Sequence, residues 1–182
     1  MGCLSSVFDC GKITHKRWGE VMVLAFSGHR PEKLPWGTDE SDPRCAALKT
    51  QLARAVEKAA GEGVTAFLCG MARGCDFYFA EAVLALIANE PKLRLEAWLP
   101  CPSQADRWPE PDRLRQKKLL MECGAVYMVE PVYSDGCMLR RNRAMVERCD
   151  RLLTVWDGSG GGTAWSIRCA RQMGKPVAGL WL

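Results

Sequence analysis

Three stretches of this 182-residue chain set glycine beside charge in a way suited to holding anions. They are Ser27-Gly28-His29-Arg30-Pro31, Gly70-Met71-Ala72-Arg73-Gly74-Cys75-Asp76 and Asp157-Gly158-Ser159-Gly160-Gly161-Gly162-Thr163. Glycine lets successive backbone amides approach one anion without Cβ obstruction, and arginine adds a permanent charge for phosphate. A turn by itself needs only one residue tolerant of positive φ, so the surplus in the second stretch points to a ligand. In this reading Gly28, Arg30, Gly70, Arg73, Gly74, Gly160, Gly161, Gly162 and Thr163 form a phosphate cradle, with Met71 carried in the hinge between the two glycines. Asp76 has several roles open to it: holding a ribose hydroxyl, bracing neighbouring amides, or capping the helix that follows.

Between Leu139 and Arg151, Arg140, Arg141, Arg143, Arg148 and Arg151 outnumber Glu147 and Asp150. Asn142 shares a helical stripe with Met138, Met145 and Cys149, an unfavourable place for an amide that lacks a hydrogen-bond partner. Arg141 and Arg143 flank it early in the helix, where the dipole disfavours positive charge unless an anion sits there; the alternative is a solvated basic face. His29 is either a proton donor or a structural hydrogen-bonder. The carboxylates available for catalysis are Asp76, Glu81 and Asp157, with Glu81 off the helical face of Asp76 and read first as a surface residue. Trp36, Trp108 and Trp165 are candidates for stacking on a base, whereas Trp98, Trp156 and Trp181 fall in strand patterns and read as core.

The elements that must position these residues are visible as an alternation. Short apolar runs at Val21–Phe26, Val64–Cys69, Leu93–Leu99, Ala125–Val129, Leu152–Trp156 and Val177–Trp181 read as strands buried on both faces of a parallel sheet. Between them, Leu48, Leu52, Ala55, Val56 and Ala59 form one helical stripe and Ala80, Val83, Leu84 and Ile87 another. Further helices are expected over Arg113–Cys123, Met138–Cys149 and Thr163–Met173, the last stopped by Gly174. Such alternation predicts right-handed crossovers and a Rossmann-like three-layer α/β/α sandwich with a mainly parallel sheet of about six strands. Ligands of such sheets bind beyond the carboxyl ends of the strands, and all three glycine stretches follow strands.

A 48% hydrophobic, 25% charged composition fits one globular domain over residues 21–182, preceded by a polar arm at 1–20. The net charge of +4 is too small to mark a nucleic-acid binder, so nucleic acid is not the expected partner. No two of the ten cysteines form a CxxC pair and the histidines are only His15 and His29, so no metal site is expected and free thiols in a reducing cytosol are. No apolar run is long enough to span a membrane, and the expected location is cytoplasmic. Met1-Gly2-Cys3-Leu4-Ser5-Ser6 matches an N-myristoylation pattern.

Taken in order, Ser27–Pro31, Gly70–Asp76, Arg141-Asn142-Arg143-Ala144-Met145-Val146 and Gly161-Gly162-Thr163 resemble the successive motifs of the YpsA-like family of the SLOG superfamily, over about residues 21–182. Residues 69–76 are also similar to the Ser-Gly-Leu-Ala-Arg-Gly-Ile-Asp motif of the superfamily's DNA-processing protein DprA. The resemblance implies a nucleotide or nucleotide-derived ligand of the ADP-ribose or NAD kind, bound or sensed, and self-association as a dimer. Relatives in the LOG group are phosphoribohydrolases with a Pro-Gly-Gly-x-Gly-Thr-x-x-Glu motif. Here Gly158 stands at its proline and Ser166 at its glutamate, which argues against that hydrolysis. Single-stranded DNA binding as in DprA lacks support from the mild charge.

Overall fold

The computed structural model describes residues 21–181, so the N-terminal arm and its acylation pattern lie outside the described residues. Six strands alternate with five helices: β1 (Met22–Gly28), α1 (Pro43–Gly61), β2 (Val64–Cys69), α2 (Cys75–Ile87), β3 (Arg94–Leu99), α3 (Glu110–Glu122), β4 (Ala125–Met128), α4 (Cys137–Arg148), β5 (Arg151–Trp156), α5 (Gly162–Gln172) and β6 (Val177–Trp181). Short 3₁₀ turns at Pro31–Lys33 and Pro102–Ala105 follow β1 and β3. Proline opens both, since a fixed φ and a missing N–H cost nothing at a first turn.

All strand pairs are parallel, in the order β4-β3-β2-β1-β5-β6. The chain steps outward from β1 through β2 and β3 to β4, then returns to pair β5 against the other side of β1, with Leu24 opposite Arg151 and Gly28 opposite Val155. Asp150 fastens this junction by accepting the Val23 N–H at 2.7 Å. The two sheet faces carry separate cores. Phe26, Phe67 and Phe79 belong with the α1–α3 layer, and Phe26 stacks on Phe79 at 4.3 Å between centroids. Val23, Ala25, Leu68 and Leu152 pack with Met145, Val146 and Ile167 of the α4–α5 layer.

Two expectations need correction. The outer strands β4 and β6, at the two edges of the sheet, are not buried on both faces: Val126 and Tyr127 are exposed, and Trp181, 67% exposed, leans on Trp156. The first strand runs on through Ser27 to Gly28, since β5 supplies ladder partners as far as Val155.

Candidate functional site

Strands β1 and β5 are neighbours whose following connections lead to opposite faces, so the loops beyond their carboxyl ends diverge and leave a crevice. A cleft of about 340 Å³ occupies it. It is lined by the loop after β1 (Ser27 to Arg30, Glu32, Lys33), the hinge after β2 (Gly70, Ala72, Asp76), the first two turns of α4 (Met138, Leu139, Arg141, Asn142, Met145) and the start of α5 (Gly160 to Thr163). Three of the four walls are thus the glycine stretches and the fourth carries Arg141 and Asn142, brought together from residues more than a hundred positions apart.

The floor is polar and buried. Arg141 is 4% exposed, and its guanidinium lies against the hinge: Nη1 donates to the carbonyls of Gly70 and of Trp98 (2.9 Å to the latter), and Nε donates to Asn142 Oδ1 at 2.9 Å. A Cβ at Gly70 would overlap Nη1 and Cζ, so glycine is required there to admit the arginine. The same carbonyl accepts from Gln104 Nε2 at 3.0 Å, and the Met71 carbonyl accepts from Gln104 Nε2 at 3.3 Å and Gln116 Nε2 at 3.1 Å. These two amides hold Met71 in a left-handed conformation with φ of 51°, unusual for a residue with a side chain. Asp76 is 5% exposed and accepts the Ala72 N–H at 3.1 Å through Oδ2. Burial pushes its carboxyl above the ordinary range, against the opposing pull of Arg141 and the Ala72 amide. Burial likewise presses the Arg141 guanidinium downward, against the pull of Asp76.

The rim is set by α5. Gly161 is its N-cap, at φ 131° and ψ −163°, a region in effect open only to glycine, and no side chain caps the helix. The first amides of an α-helix have no partner within it, so the turn at Gly162 and Thr163 presents donors and the positive end of the helix dipole to the cleft. Lys33 crosses to this loop: Nζ donates to Ser159 Oγ at 2.9 Å and to the Gly160 carbonyl. Below it, the buried His29 places Nε2 2.7 Å from Asp157 Oδ1, which also accepts the Ser159 N–H at 2.8 Å. The Ser159 amide and hydroxyl, with His29, hold the Asp157 carboxyl well below the ordinary range.

Several residues named from sequence fall elsewhere. Arg73 does not line the cleft, because Asp112 Oδ2 at 2.6 Å and Glu32 Oε1 at 3.1 Å engage its guanidinium. Met71 and Gly74 build the hinge without facing the cavity, Gly74 as the N-cap of α2. Asp76 is therefore not the cap; it sits in the first turn and braces the hinge backbone. Glu81 is bound to Arg115 on the outer helix layer at 2.7 and 2.8 Å, and Asp157 supports the loop from outside the cavity lining. No tryptophan lines the cleft: Trp36 is buried in the core and Trp108 packs edge-on against Phe77. Ser166, at the position of the LOG glutamate, is 1% exposed and gives its hydroxyl to the Gly162 carbonyl at 3.0 Å. Lys33, Glu32, Gln104 and Gln116 carried no motif; only the proline-opened turn after β1 hinted that Lys33 returns to the strand ends.

A parallel sheet with this switch point and a glycine-lined cleft beyond it defines a Rossmann-like α/β protein. Residues 24–173 match the YspA SLOG family (YpsA), and the chain belongs to that family. Among curated relatives, a UPF0398 protein of Bacillus pumilus is 26% identical over 140 residues, covering 75% of this chain and 74% of that one. A UPF0398 protein of Bacillus cereus is 24% identical over 159 residues, covering 85% of each chain. Among solved structures, DNA processing protein A of Helicobacter pylori, known in its single-stranded DNA binding mode, superposes with a TM-score of 0.59 at 19% identity over 87% of this chain. DNA processing protein A of Streptococcus pneumoniae gives 0.58 at 14% identity over 88%. The chain spans 65% and 50% of those two proteins, and the likeness is one of fold. Among the described residues, no helix is long and apolar enough to cross a membrane.

Proposed function

We propose that the cleft binds a phosphate-bearing nucleotide or nucleotide-derived ligand, of the ADP-ribose or NAD kind, with its phosphate seated on the first turn of α5. The observation that carries this reading is the meeting, at the β1/β5 switch point, of an uncapped glycine-led helix N-terminus with the cations Arg30, Lys33 and Arg141. The helix end supplies oriented donors, and Lys33 already stands over Gly161, where an anion would exchange for the Gly160 carbonyl. Glu32 offsets part of this charge but is itself held by Arg73.

Thermal-shift titration with ADP-ribose, NAD, AMP and inorganic phosphate tests the reading. A ligand at a hundred times its Kd stabilises the fold by about 2.7 kcal/mol, which raises the melting temperature by roughly 5 to 11 °C for a chain of this size. Lys33→Ala should weaken the response. If none of the four shifts the transition, the reading is wrong.

One observation favours a second reading, N-glycosidic hydrolysis of nucleoside monophosphates: Asp76 is a cleft carboxylate raised by burial, as a general acid requires. Chromatography of AMP incubated with the protein decides it, since accumulation of free adenine would make the binder an enzyme.

A further inference from the structure

We infer that Asp76 and Arg141 together read the vicinal hydroxyls of a ribose, so that the cleft takes ribonucleotides and discriminates against their deoxy counterparts. The inference rests on the phosphate reading above and assigns the neighbouring subsite. Both side chains are more than nine-tenths buried and both line the cavity. Opposite charges this close to one cavity ordinarily close on each other, yet no hydrogen bond or ion pair joins them. Arg141 is held off by the Gly70 and Trp98 carbonyls, and its Nη2 makes no hydrogen bond among the described residues. Asp76 spends Oδ2 on the Ala72 amide and is drawn on further by the Gly28 amide, and a carboxylate with its several lone pairs still keeps acceptor capacity in hand.

A donor and an acceptor that line one cavity without closing on each other match a group that donates and accepts at once. A phosphate fits poorly, because the Asp76 carboxylate would repel it. A hydroxyl fits: it donates to the carboxylate and accepts from the guanidinium, and a cis-diol engages both residues side by side. The spacing between subsites is supplied by Asn142. Its Oδ1 is taken by Arg141, which turns Nδ2 toward Gly162 and the first turn of α5, within 3.6 Å of where a Cβ on Gly162 would stand. A phosphate at Gly162 and hydroxyls at Asp76 and Arg141, bridged by Asn142, describe a ribose 5-phosphate.

Isothermal titration of the wild-type chain with ribose 5-phosphate and 2-deoxyribose 5-phosphate, and with AMP and 2′-deoxy-AMP, tests this without any substitution. The ribo member of each pair should bind more tightly by about ten- to a hundredfold, the worth of one charge-assisted hydrogen bond. Asp76→Asn, checked for folding by circular dichroism, should narrow that gap. Equal binding of ribo and deoxy forms would overturn the inference and leave the phosphate site standing; deoxy forms preferred would also overturn it and favour DNA as the natural ligand. Binding of no member of either pair, with no response to inorganic phosphate, would overturn both readings.

Discussion

Replacing Gly70 by alanine isolates the contact on which the cleft floor depends. The backbone at Gly70 is not in the positive-φ region, so alanine brings no conformational strain of its own. The new methyl group would stand 2.8 Å from Arg141 Nη2 and closer still to Cζ and Nη1, where about 3.5 Å is needed. The guanidinium must therefore move by more than a hydrogen bond tolerates, and its bonds to the Gly70 and Trp98 carbonyls are lost. At about 1.5 to 3 kcal/mol for each bond from a charged donor, the loss is about 3 to 6 kcal/mol. That is a large share of the roughly 5 to 15 kcal/mol typical of a domain, and it lowers the melting temperature by roughly 6 to 24 °C. Urea denaturation followed by tryptophan fluorescence reads the change. In an Arg141→Ala background the methyl enters vacated space, and Gly70→Ala should then cost no more than about 1 kcal/mol. A loss of the same size in both backgrounds would show that the arginine is not what the glycine admits.

Arg73→Ala should cost about 1 kcal/mol of stability through its pairs with Asp112 and Glu32, and should leave affinity for AMP unchanged in calorimetry. Asp76 retains its proton in the folded chain to a higher pH than in the unfolded one, so its contribution to stability falls as pH rises from about 4 through the raised value. Asp76→Asn removes that fall, and melting temperatures measured from acid to neutral pH should show the variant at least as stable as wild type at neutrality. Asp157 behaves in the opposite sense. Its depressed pKa contributes stability above about pH 4 that is lost as the carboxylate is protonated, so Asp157→Ala should flatten the acid limb of the same profile.

Much of this architecture is legible in the chain. Near-continuous apolar runs between amphipathic stripes locate all six strands, and glycine enrichment after β1, β2 and β5 marks the edge where the cleft lies. What the sequence withholds is who meets whom. Arg73 between two glycines has the look of a phosphate ligand because Asp112 and Glu32, which capture it, come from other parts of the chain. Arg141 reads as an anion partner, but nothing local says that it is buried or that Gly70 exists to admit it. Gln104 and Gln116 carry no pattern at all, yet they hold Met71 in place. Trp181 reads as core because a strand's own residues do not reveal that it stands at the edge of the sheet with an open face.

The central place of β1 has a cost during synthesis. Its partner Arg151 lies 127 residues beyond Leu24, so the first strand leaves the ribosome long before β5 exists. At about 5 to 20 residues per second, roughly 6 to 26 s separate completion of the two strands. Over that interval β2, β3 and β4 can assemble on one side of β1 while its other side remains an open row of backbone donors and acceptors flanked by Val23, Ala25 and Phe26. The nascent chain therefore carries a provisional sheet edge that the finished protein hides. Nascent chains arrested before residue 151 should engage chaperones or aggregate, whereas chains arrested after β5 and β6 have left the exit tunnel should not.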